Sequence, residues 1–293
     1  MSLPDKIPSP PPAMPKVAVV ALNYQGETVL PGLLASLEST EYSNYKIYLV
    51  DNASTDNGLA VAEQWLDKLP MELIKNDENL LFSRGNNVGI MKALDWNADF
   101  IFLLNNDTVV PHSLISALVK FLTDHSDAGI AGPMIHFQNP EGVIWGAGGQ
   151  VSTWWGLVRH RGIREKDVGQ FSEPSQVDYV SGAAMMVRSP VFSKIGLLDP
   201  DLPMYFEDTD LCLRARKKGF EVWFVPTAPL IHLVSVAAGG QRSWFKIRKR
   251  IRAGFRFFAR HAKWYQWPTI LLGQVYEALR VILLISGGMK DGG

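Results

Sequence analysis

Residues 99–108, Asp-Phe-Ile-Phe-Leu-Leu-Asn-Asn-Asp-Thr, end an apolar run in a cluster of oxygen-bearing side chains. A run of this length between polar residues fits a strand covered on both faces, and open parallel sheets bind ligands just beyond the carboxyl ends of such strands. Asp107 is therefore a candidate ligand for a divalent cation, with Asn105 beside it. Asn, Asp and Thr ahead of a helical-looking 112–122 equally suit turn and N-cap chemistry, so the segment alone leaves both readings open. Two more apolar runs end the same way: 17–22 is followed by Asn23-Tyr24, and 45–50 by Asp51-Asn52-Ala53-Ser54-Thr55-Asp56. On parallel strands the three segments share one edge of the sheet, where a nucleotide can lie across them and Asp51 can accept hydrogen bonds from a base or ribose. A turn with a helix cap is the plainer account of 51–56.

A second acidic cluster, Tyr205-Phe206-Glu207-Asp208-Thr209-Asp210, stands at an expected helix start. Carboxylates in a first turn are favourable through the helix dipole, which suffices for two of the three. The third is a candidate general base, because a carboxylate among aromatic rings can have its pKa raised toward working pH. His232 is a candidate nitrogen ligand for the same cation as Asp107, although a single histidine serves structure as readily. Residues 79–90 form a polar loop running into a helix, where Arg84 and free backbone amides can hold phosphate. No Walker pattern is present, and Asn23-Tyr24-Gln25-Gly26 stands where a dinucleotide-binding glycine fingerprint would begin. Both absences argue against a P-loop NTPase and a dinucleotide dehydrogenase.

These residues need a sheet to hold them, and the pattern supplies one. From Lys16 onward short apolar runs alternate with amphipathic segments, as in an α/β fold with a mostly parallel sheet flanked by helices. Strands are expected at 17–22, 45–50, 71–75, 100–104, 128–136, 179–187 and 221–225, and helices at 29–39, 58–68, 87–96, 112–123 and 208–218. Residues 138–176, rich in Gly, Trp and charge, read as loop or hairpin. The small residues Ser181, Gly182, Ala183 and Ala184 mark a place where something approaches the backbone closely. With 293 residues, 47% apolar and 20% charged, the chain can bury a substantial core as one large domain with appendages. Its single cysteine, Cys212, excludes an intramolecular disulfide and a cysteine-built zinc site, and fits a reducing compartment.

Taken together the ordered motifs resemble family 2 glycosyltransferases of the GT-A fold, a Rossmann-like nucleotide-diphospho-sugar transferase architecture, and in particular the rhamnosyltransferase-like members. The resemblance covers residues 16–235. It rests on Ala21-Leu22-Asn23-Tyr24, Val50 to Asp56, Asn79 to Ile90, Leu103 to Thr108, Ser181-Gly182-Ala183, Phe206 to Leu211, and His232. It implies that Asp51 contacts the nucleotide base, and that Asn23, Asn52, Arg84, Asn87 and Asn106 share in holding the nucleotide-sugar with Asp51 and Asp107. It further implies that Asp107, with Asn105 and His232, binds Mg2+ or Mn2+ at the donor diphosphate, and that Asp208 is the catalytic base with Glu207 as neighbour. Asn105 replaces the first aspartate of that family's metal motif, which lowers the ligand charge. The implied reaction is an inverting, metal-dependent sugar transfer from dTDP-rhamnose, or next a UDP-hexose, to a hydroxyl of a cell-surface polysaccharide or lipid-linked acceptor. A nucleotidyltransferase would need a Gly- and Arg/Lys-rich loop after the first strand, which is absent. A noncatalytic nucleotide-sugar or membrane-binding scaffold is the alternative from another class.

The ends of the chain read differently. Residues 1–15 hold six prolines and form a disordered or polyproline-like leader without an apolar stretch for a signal peptide. The glycosyltransferase domain is expected over 16–240, and a basic amphipathic helical region over 241–293. Residues 242–263 carry nine Lys or Arg and no Asp or Glu, with Trp244, Ile247, Ile251, Phe255, Phe258 and Ala262 at helical spacing beside Arg248, Arg252, Arg256 and Arg260. Such a helix can lie on an anionic membrane or pack on the domain with a solvated basic face, and nucleic acid is not the expected partner. The apolar run at 264–286 is broken by Gln274, Glu277 and Arg280 and is not expected to span a bilayer. The expected location is cytoplasmic, with possible peripheral contact at the inner face of the membrane.

Overall fold

The computed structural model describes residues 14–233 and 244–286. The leader, except Met14 and Pro15, and the domain boundary near 240 lie outside the described residues. The chain begins with β1 (Val17–Asn23), α1 (Leu30–Glu38), β2 (Tyr45–Asp51), α2 (Gly58–Glu63), β3 (Met71–Lys75), α3 (Leu81–Asp95) and β4 (Phe100–Asn105). A short β5 (Thr108–Val109), α4 (Leu114–Asp124) and β6 (Ala128–Phe137) follow. The Gly- and Trp-rich stretch then folds into β7 (Ile144–Gly146), the hairpin β8 (Gly149–Ser152) and β9 (Leu157–His160), and β10 (Ser175–Gln176). The chain continues through β11 (Ala184–Arg188), α5 (Ser189–Ile195), α6 (Glu207–Lys217) and β12 (Glu221–His232), and ends in α7 (Trp244–His261) and α8 (Trp267–Ser286).

The main sheet has the order β3-β2-β1-β4-β11-β6-β12-β10. β1 pairs in parallel with β2 and β4, β2 with β3, and β6 with β12, whereas β11 runs antiparallel to both β4 and β6. β1, β2, β3, β4, β6 and β12 therefore all end at one edge, and β11 starts there. Because alternate residues of a strand face opposite ways, Val17, Val19 and Ala21 pack under α1 and α4 in one apolar layer, while Ala18 and Val20 pack with α3, α5 and α6 in the other. Burial on both faces explains the near-continuous apolar runs of the central strands.

Four elements depart from the sequence expectation, three of them for a physical reason. α3 starts at Leu81, six residues early, without a side-chain cap. The backbone amides of Phe82 and Ser83 instead donate to the Pro203 carbonyl, so a tertiary partner does the work of an N-cap. The strand expected at 179–187 is confined to β11, because 181–183 turns at the sheet edge. β12 runs on to His232 past Pro226 and Pro229, its register against β6 shifting between Val225 and Leu230, so that a bulge absorbs both prolines. α2 is shorter than expected, its second half giving way to turns.

The C-terminal helices pack on the domain. Ala253, Phe257 and Phe258 of α7 are buried with Leu202 and Ile270 in a third apolar cluster. The Arg256 guanidinium donates to the Asp201 carbonyl oxygen (2.9 Å), Arg260 pairs with Asp199 and Asp201, and His261 Nε2 lies 2.7 Å from Asp210 Oδ1. Part of the basic stripe is thus satisfied within the chain. The side chains of Trp244, Ile247, Glu277 and Arg280 lie outside the described residues. No helix among the described residues is long and apolar enough to cross a membrane.

Candidate active site

The polar strand ends meet as a hydrogen-bonded ladder. Asn106 Nδ2 donates to Asn23 Oδ1 (2.9 Å), and Asn23 Nδ2 donates in turn to Asp51 Oδ1 (2.8 Å). Asp51 also accepts from Ser54 N (3.0 Å) and Ser54 Oγ (2.7 Å), so its carboxylate is fixed by three donors from two segments. Gly26 is required beside the ladder, because a Cβ there would collide with Asn23 Oδ1 and lie 2.7 Å from Asn106 Nδ2. Past the ends of β2 and β3, next to Asp51, an open hollow of about 500 Å³ is lined by Lys75, Asn76, Asp77, Glu78 and Leu80.

At the next position along the edge, β5 pairs antiparallel with the end of β12, setting Thr108 opposite His232. This register brings two residues 125 apart in sequence together: His232 Nε2 lies 3.1 Å from Asp107 Oδ1, and both side chains are buried. His232 Nδ1 is buried without a hydrogen-bond partner among the described residues. Trp145 of β7 lies edge-on against the His232 ring, with centroids 4.9 Å apart. One carboxylate and one imidazole make too few ligands for an all-protein metal cage, and no group of three acidic, histidine or cysteine side chains is gathered among the described residues. The pair does suit a cation that takes its remaining ligands from a bound diphosphate and water, the usual arrangement for Mg2+ in phosphate-handling sites.

The second acidic cluster faces the same edge. Asn105 N donates to the Ala183 carbonyl (3.0 Å), and the adjoining Gly182 N donates to Asp208 Oδ2 (3.0 Å), so residues 181–183 tie the end of β4 to the start of α6. The close approach inferred from the small residues is this one, since a Cβ on Gly182 would meet Phe82 Cζ at 3.1 Å and Asp208 Cβ at 3.4 Å. Asp208 Oδ1 also accepts from Thr209 N (2.6 Å). The neighbouring Glu207 is buried, its Oε2 without a partner among the described residues. Burial first, and then the Asp208 charge, push the Glu207 carboxyl well above the usual carboxylate range, whereas Asp208 is only half-buried. Tyr205 and Phe206 enter α6 with φ of 74° and 67°, left-handed conformations that are costly for aromatic residues and are held here by packing. The Phe206 ring stacks on Phe257 of α7 with centroids 5.3 Å apart.

The remaining sequence candidates sit around this edge in supporting positions. The Asn52 amide donates to Asn79 Oδ1 and the Leu81 carbonyl and accepts from Asn76 Nδ2 and Leu80 N, knitting β2 to the loop that leads into α3. Asn87 makes a reciprocal pair with the Leu198 backbone, donating to its carbonyl (2.8 Å) and accepting from its amide (3.0 Å). Both amides are therefore engaged within the chain. Arg84 is exposed on the first turn of α3. Asn105 is half-buried at the end of β4, beside the Asp107 and His232 pair.

Three residues at the site carried no signal in the sequence. His160, at the end of β9, packs against Trp145 with centroids 4.5 Å apart, and its Nδ1 lies 3.3 Å from the Tyr179 hydroxyl. Burial holds the His160 imidazole below its ordinary pKa; the Asp208 carboxylate opposes this, and the charges of Arg250 and His232 add to it. Burial likewise raises the Tyr179 hydroxyl. His160 thus lies within electrostatic reach of both Asp208 and His232. A histidine, a tryptophan and a tyrosine scattered over 35 residues of weak periodicity can be associated only once the pairing of β6 with β7 and β8 with β9 is known.

Comparison with known proteins points to one family. Residues 14–255 match the glycosyltransferase like family 2. The rhamnosyltransferase WbbL of Escherichia coli is 35% identical over 259 residues, covering 83% of this chain and 93% of that protein. The N-acetylglucosaminyl-diphospho-decaprenol L-rhamnosyltransferase of Mycobacterium tuberculosis is 26% identical over 297 residues, covering 93% and 94%. A mannosyltransferase from Pyrobaculum calidifontis, solved with GDP-Man and Mn2+, superposes with a TM-score of 0.61 at 14% identity, covering 94% of this chain and 79% of that one. A Staphylococcus aureus TarS structure with UDP gives 0.58 at 16% identity, covering 83% of this chain and 65%, just under two thirds, of its own. Family match, curated relatives and sheet topology converge: the chain belongs to family 2 of the glycosyltransferases and is an enzyme of that family with the GT-A fold.

Proposed function

We propose that this enzyme moves rhamnose from dTDP-rhamnose to a hydroxyl of a lipid-linked or polysaccharide acceptor, with inversion at the anomeric carbon and with a divalent cation at Asp107 and His232. The observation that carries the reading is the convergence of Asp107, His232 and Asp208 on one sheet edge, with the Asn106-Asn23-Asp51 ladder beside them. The rhamnosyl donor and lipid-linked acceptor rest on the names of the two relatives, and a UDP-hexose is the second donor to test. In this reading the base and ribose lie by Asp51 and the hollow past β3, and the diphosphate lies toward Asp107. Asp208 takes the proton of the acceptor hydroxyl; the oxygen bonds to the anomeric carbon as the bond to the diphosphate breaks on the opposite face, and the diphosphate leaves with the electron pair. Mg2+ or Mn2+ would supply charge compensation for that leaving group. Burial pushes the Glu207 carboxyl up, which is why the base role goes to the half-buried Asp208 and not to its neighbour.

The test is a panel of nucleotide sugars with and without Mg2+ or Mn2+, scored by calorimetric binding and by product NMR. Asp208→Asn is expected to bind donor normally and to lose roughly 100-fold or more in transfer, the typical worth of a positioned base. Asp107→Ala is expected to lose the metal-dependent part of donor binding. Near-normal turnover by Asp208→Asn would remove the base assignment, and a product with retained configuration would remove the single-displacement mechanism.

A further inference from the structure

The helix that the sequence offers to a membrane packs one face on the domain, and among the described residues a further apolar surface is exposed. Phe257 and Phe258 are fully buried, yet the short 3-10 turn Trp264–Gln266 and the following α8 present large apolar side chains outward. Trp264 is 84% exposed, Leu272 67%, and Val275 and Tyr276 more than half. From 264 to 276 the chain has no charged residue. The tip of the β8–β9 hairpin extends the same surface, since Trp154 and Trp155 are both more than half exposed and Trp154 lies 5.8 Å from the Tyr265 ring. Three contacts fix hairpin and helix as one platform. Gln274 Nε2 donates to the Gly156 carbonyl (2.6 Å), Gln266 Nε2 donates to Thr153 Oγ1 (3.1 Å), and Gly273 lets α8 pass against the Trp155 carbonyl, where any Cβ would collide.

We infer that this platform is a docking surface for an anionic lipid bilayer. Exposed apolar area of this kind on a folded domain marks an interaction site, and tryptophan and tyrosine beside aliphatic side chains suit the boundary between headgroups and acyl chains. The charge pattern selects the partner. On α7, Arg248 and Arg252 are exposed on the same helical face as Phe255, whose ring stacks on Trp267 at the start of α8 (6.2 Å). Residues 242–263 offer no acidic side chain, so a second copy docked through the same face would set arginine against arginine, whereas anionic headgroups complement it. The platform is also one layer from the catalytic cluster: α7 contributes Phe257 to the stack on Phe206, two residues before Asp208. A chain docked this way keeps Asp208 near the plane in which a lipid-linked hydroxyl would be presented. The inference deepens the lipid-linked-acceptor reading and rests on it only for that last step.

The test is sedimentation of the full chain with vesicles of phosphatidylcholine, with and without phosphatidylglycerol, in the absence of donor and acceptor. Binding is expected only when phosphatidylglycerol is present. Trp264→Ser with Leu272→Ser should abolish it without lowering the melting temperature. Arg248→Ser with Arg252→Ser should weaken it by about 25-fold, about five-fold for each arginine near the surface. Failure of the unaltered chain to bind, or unchanged binding by the Trp264 and Leu272 variant, overturns the inference. So does a concentration-dependent dimer in sedimentation velocity that Leu272→Ser disperses, since the face would then belong to a second copy. Donor calorimetry on the unaltered chain separates the two readings: failure to bind any nucleotide sugar with vesicle binding intact counts against the proposed activity alone.

Discussion

Asn23→Asp changes one atom of the strand-end ladder and should convert it into a pH-dependent fault. In the native chain Asn23 Nδ2 donates to Asp51 Oδ1 at 2.8 Å in a buried setting, with Asn23 1% exposed. The substitution puts a carboxylate oxygen where the amide nitrogen was. It removes a hydrogen bond to a charged group, worth about 1.5–3 kcal/mol, and sets two carboxylates at contact. Like-charged carboxylates in one site cannot both ionise cheaply, so the introduced carboxyl is driven to stay protonated, and each unit by which its pKa rises costs about 1.4 kcal/mol once the pH exceeds that pKa. A rise of two units or so, added to the weakened hydrogen bond, gives a deficit of about 4–6 kcal/mol at neutral pH. Below about pH 4 the protonated carboxyl is nearly isosteric with the lost amide and donates to Asp51 in its place, so most of the deficit should vanish. The sign follows from linkage: above the unfolded-state pKa the native variant binds more protons than the unfolded chain, so its stability falls with rising pH until the raised pKa is passed. Urea unfolding of variant and parent from pH 4 to pH 8 measures the difference directly. A deficit that stays constant over that range would mean that Asn23 and Asp51 are not in hydrogen-bond contact.

Three further perturbations probe neighbouring parts of the site. Gly26→Ala wedges a methyl group between Asn23 and Asn106 and should cost about 1–3 kcal/mol by overpacking while weakening donor binding, read by thermal melts and calorimetry. Glu207→Gln keeps the shape of a carboxyl whose pKa burial and Asp208 push up. Native stability at this position is fully present below the ordinary value of 4.5 and is lost as pH rises toward the raised one, so the variant should be more stable than the parent at neutral pH and show a flatter profile in denaturant melts. Phe257→Ala empties a fully buried site that α7 shares with Phe206 and should cost about 3–5 kcal/mol. Because Phe206 and Tyr205 hold left-handed backbone conformations through that packing, transfer activity should fall further than donor affinity.

Much of the sheet was readable because burial on both faces leaves a plain mark: apolar runs that stop at Asn23, Asp51 and Asn105 mark three strands whose ends the structure aligns at one edge. Asp107 and His232 could be nominated by chemistry, and their contact depends on a feature that residue types argue against. Pro226 and Pro229 would ordinarily end a strand, and reading β12 as finished at Val225 would leave His232 in a loop of unknown direction. The bulge between Val225 and Leu230 lets pairing resume with Ile135, His136 and Phe137, and this resumed pairing sets His232 opposite Thr108, one residue from Asp107. Local propensity missed the early start of α3 for a related reason: the donors that open the helix are satisfied by Pro203, more than a hundred residues away.

The same distinction between local and distant partners governs the tail. Helical spacing finds α7 but not the face it buries: Ala253 and Phe257 pack with Phe258 while Phe255 of the expected stripe is exposed, and a basic amphipathic helix facing a membrane and one facing its own domain have the same period. The assignment comes from partners with no periodic signature: Leu202 in a loop, Asp199 and Asp201 beside it, and Asp210 on α6, which takes both Arg214 and His261. Burial alone would raise the Asp210 carboxyl; the His261 hydrogen bond and the Arg214 charge outweigh it and hold the group below its ordinary value, so this contact is at full strength at neutral pH and loosens as pH falls through the depressed pKa. Asp210 lies two residues from Asp208, on the same first turn of α6. The acidic cluster that looks redundant in sequence is therefore divided by environment: Glu207 is buried with its carboxyl pushed up, Asp208 is half-buried against Gly182, and Asp210 anchors α7 through His261.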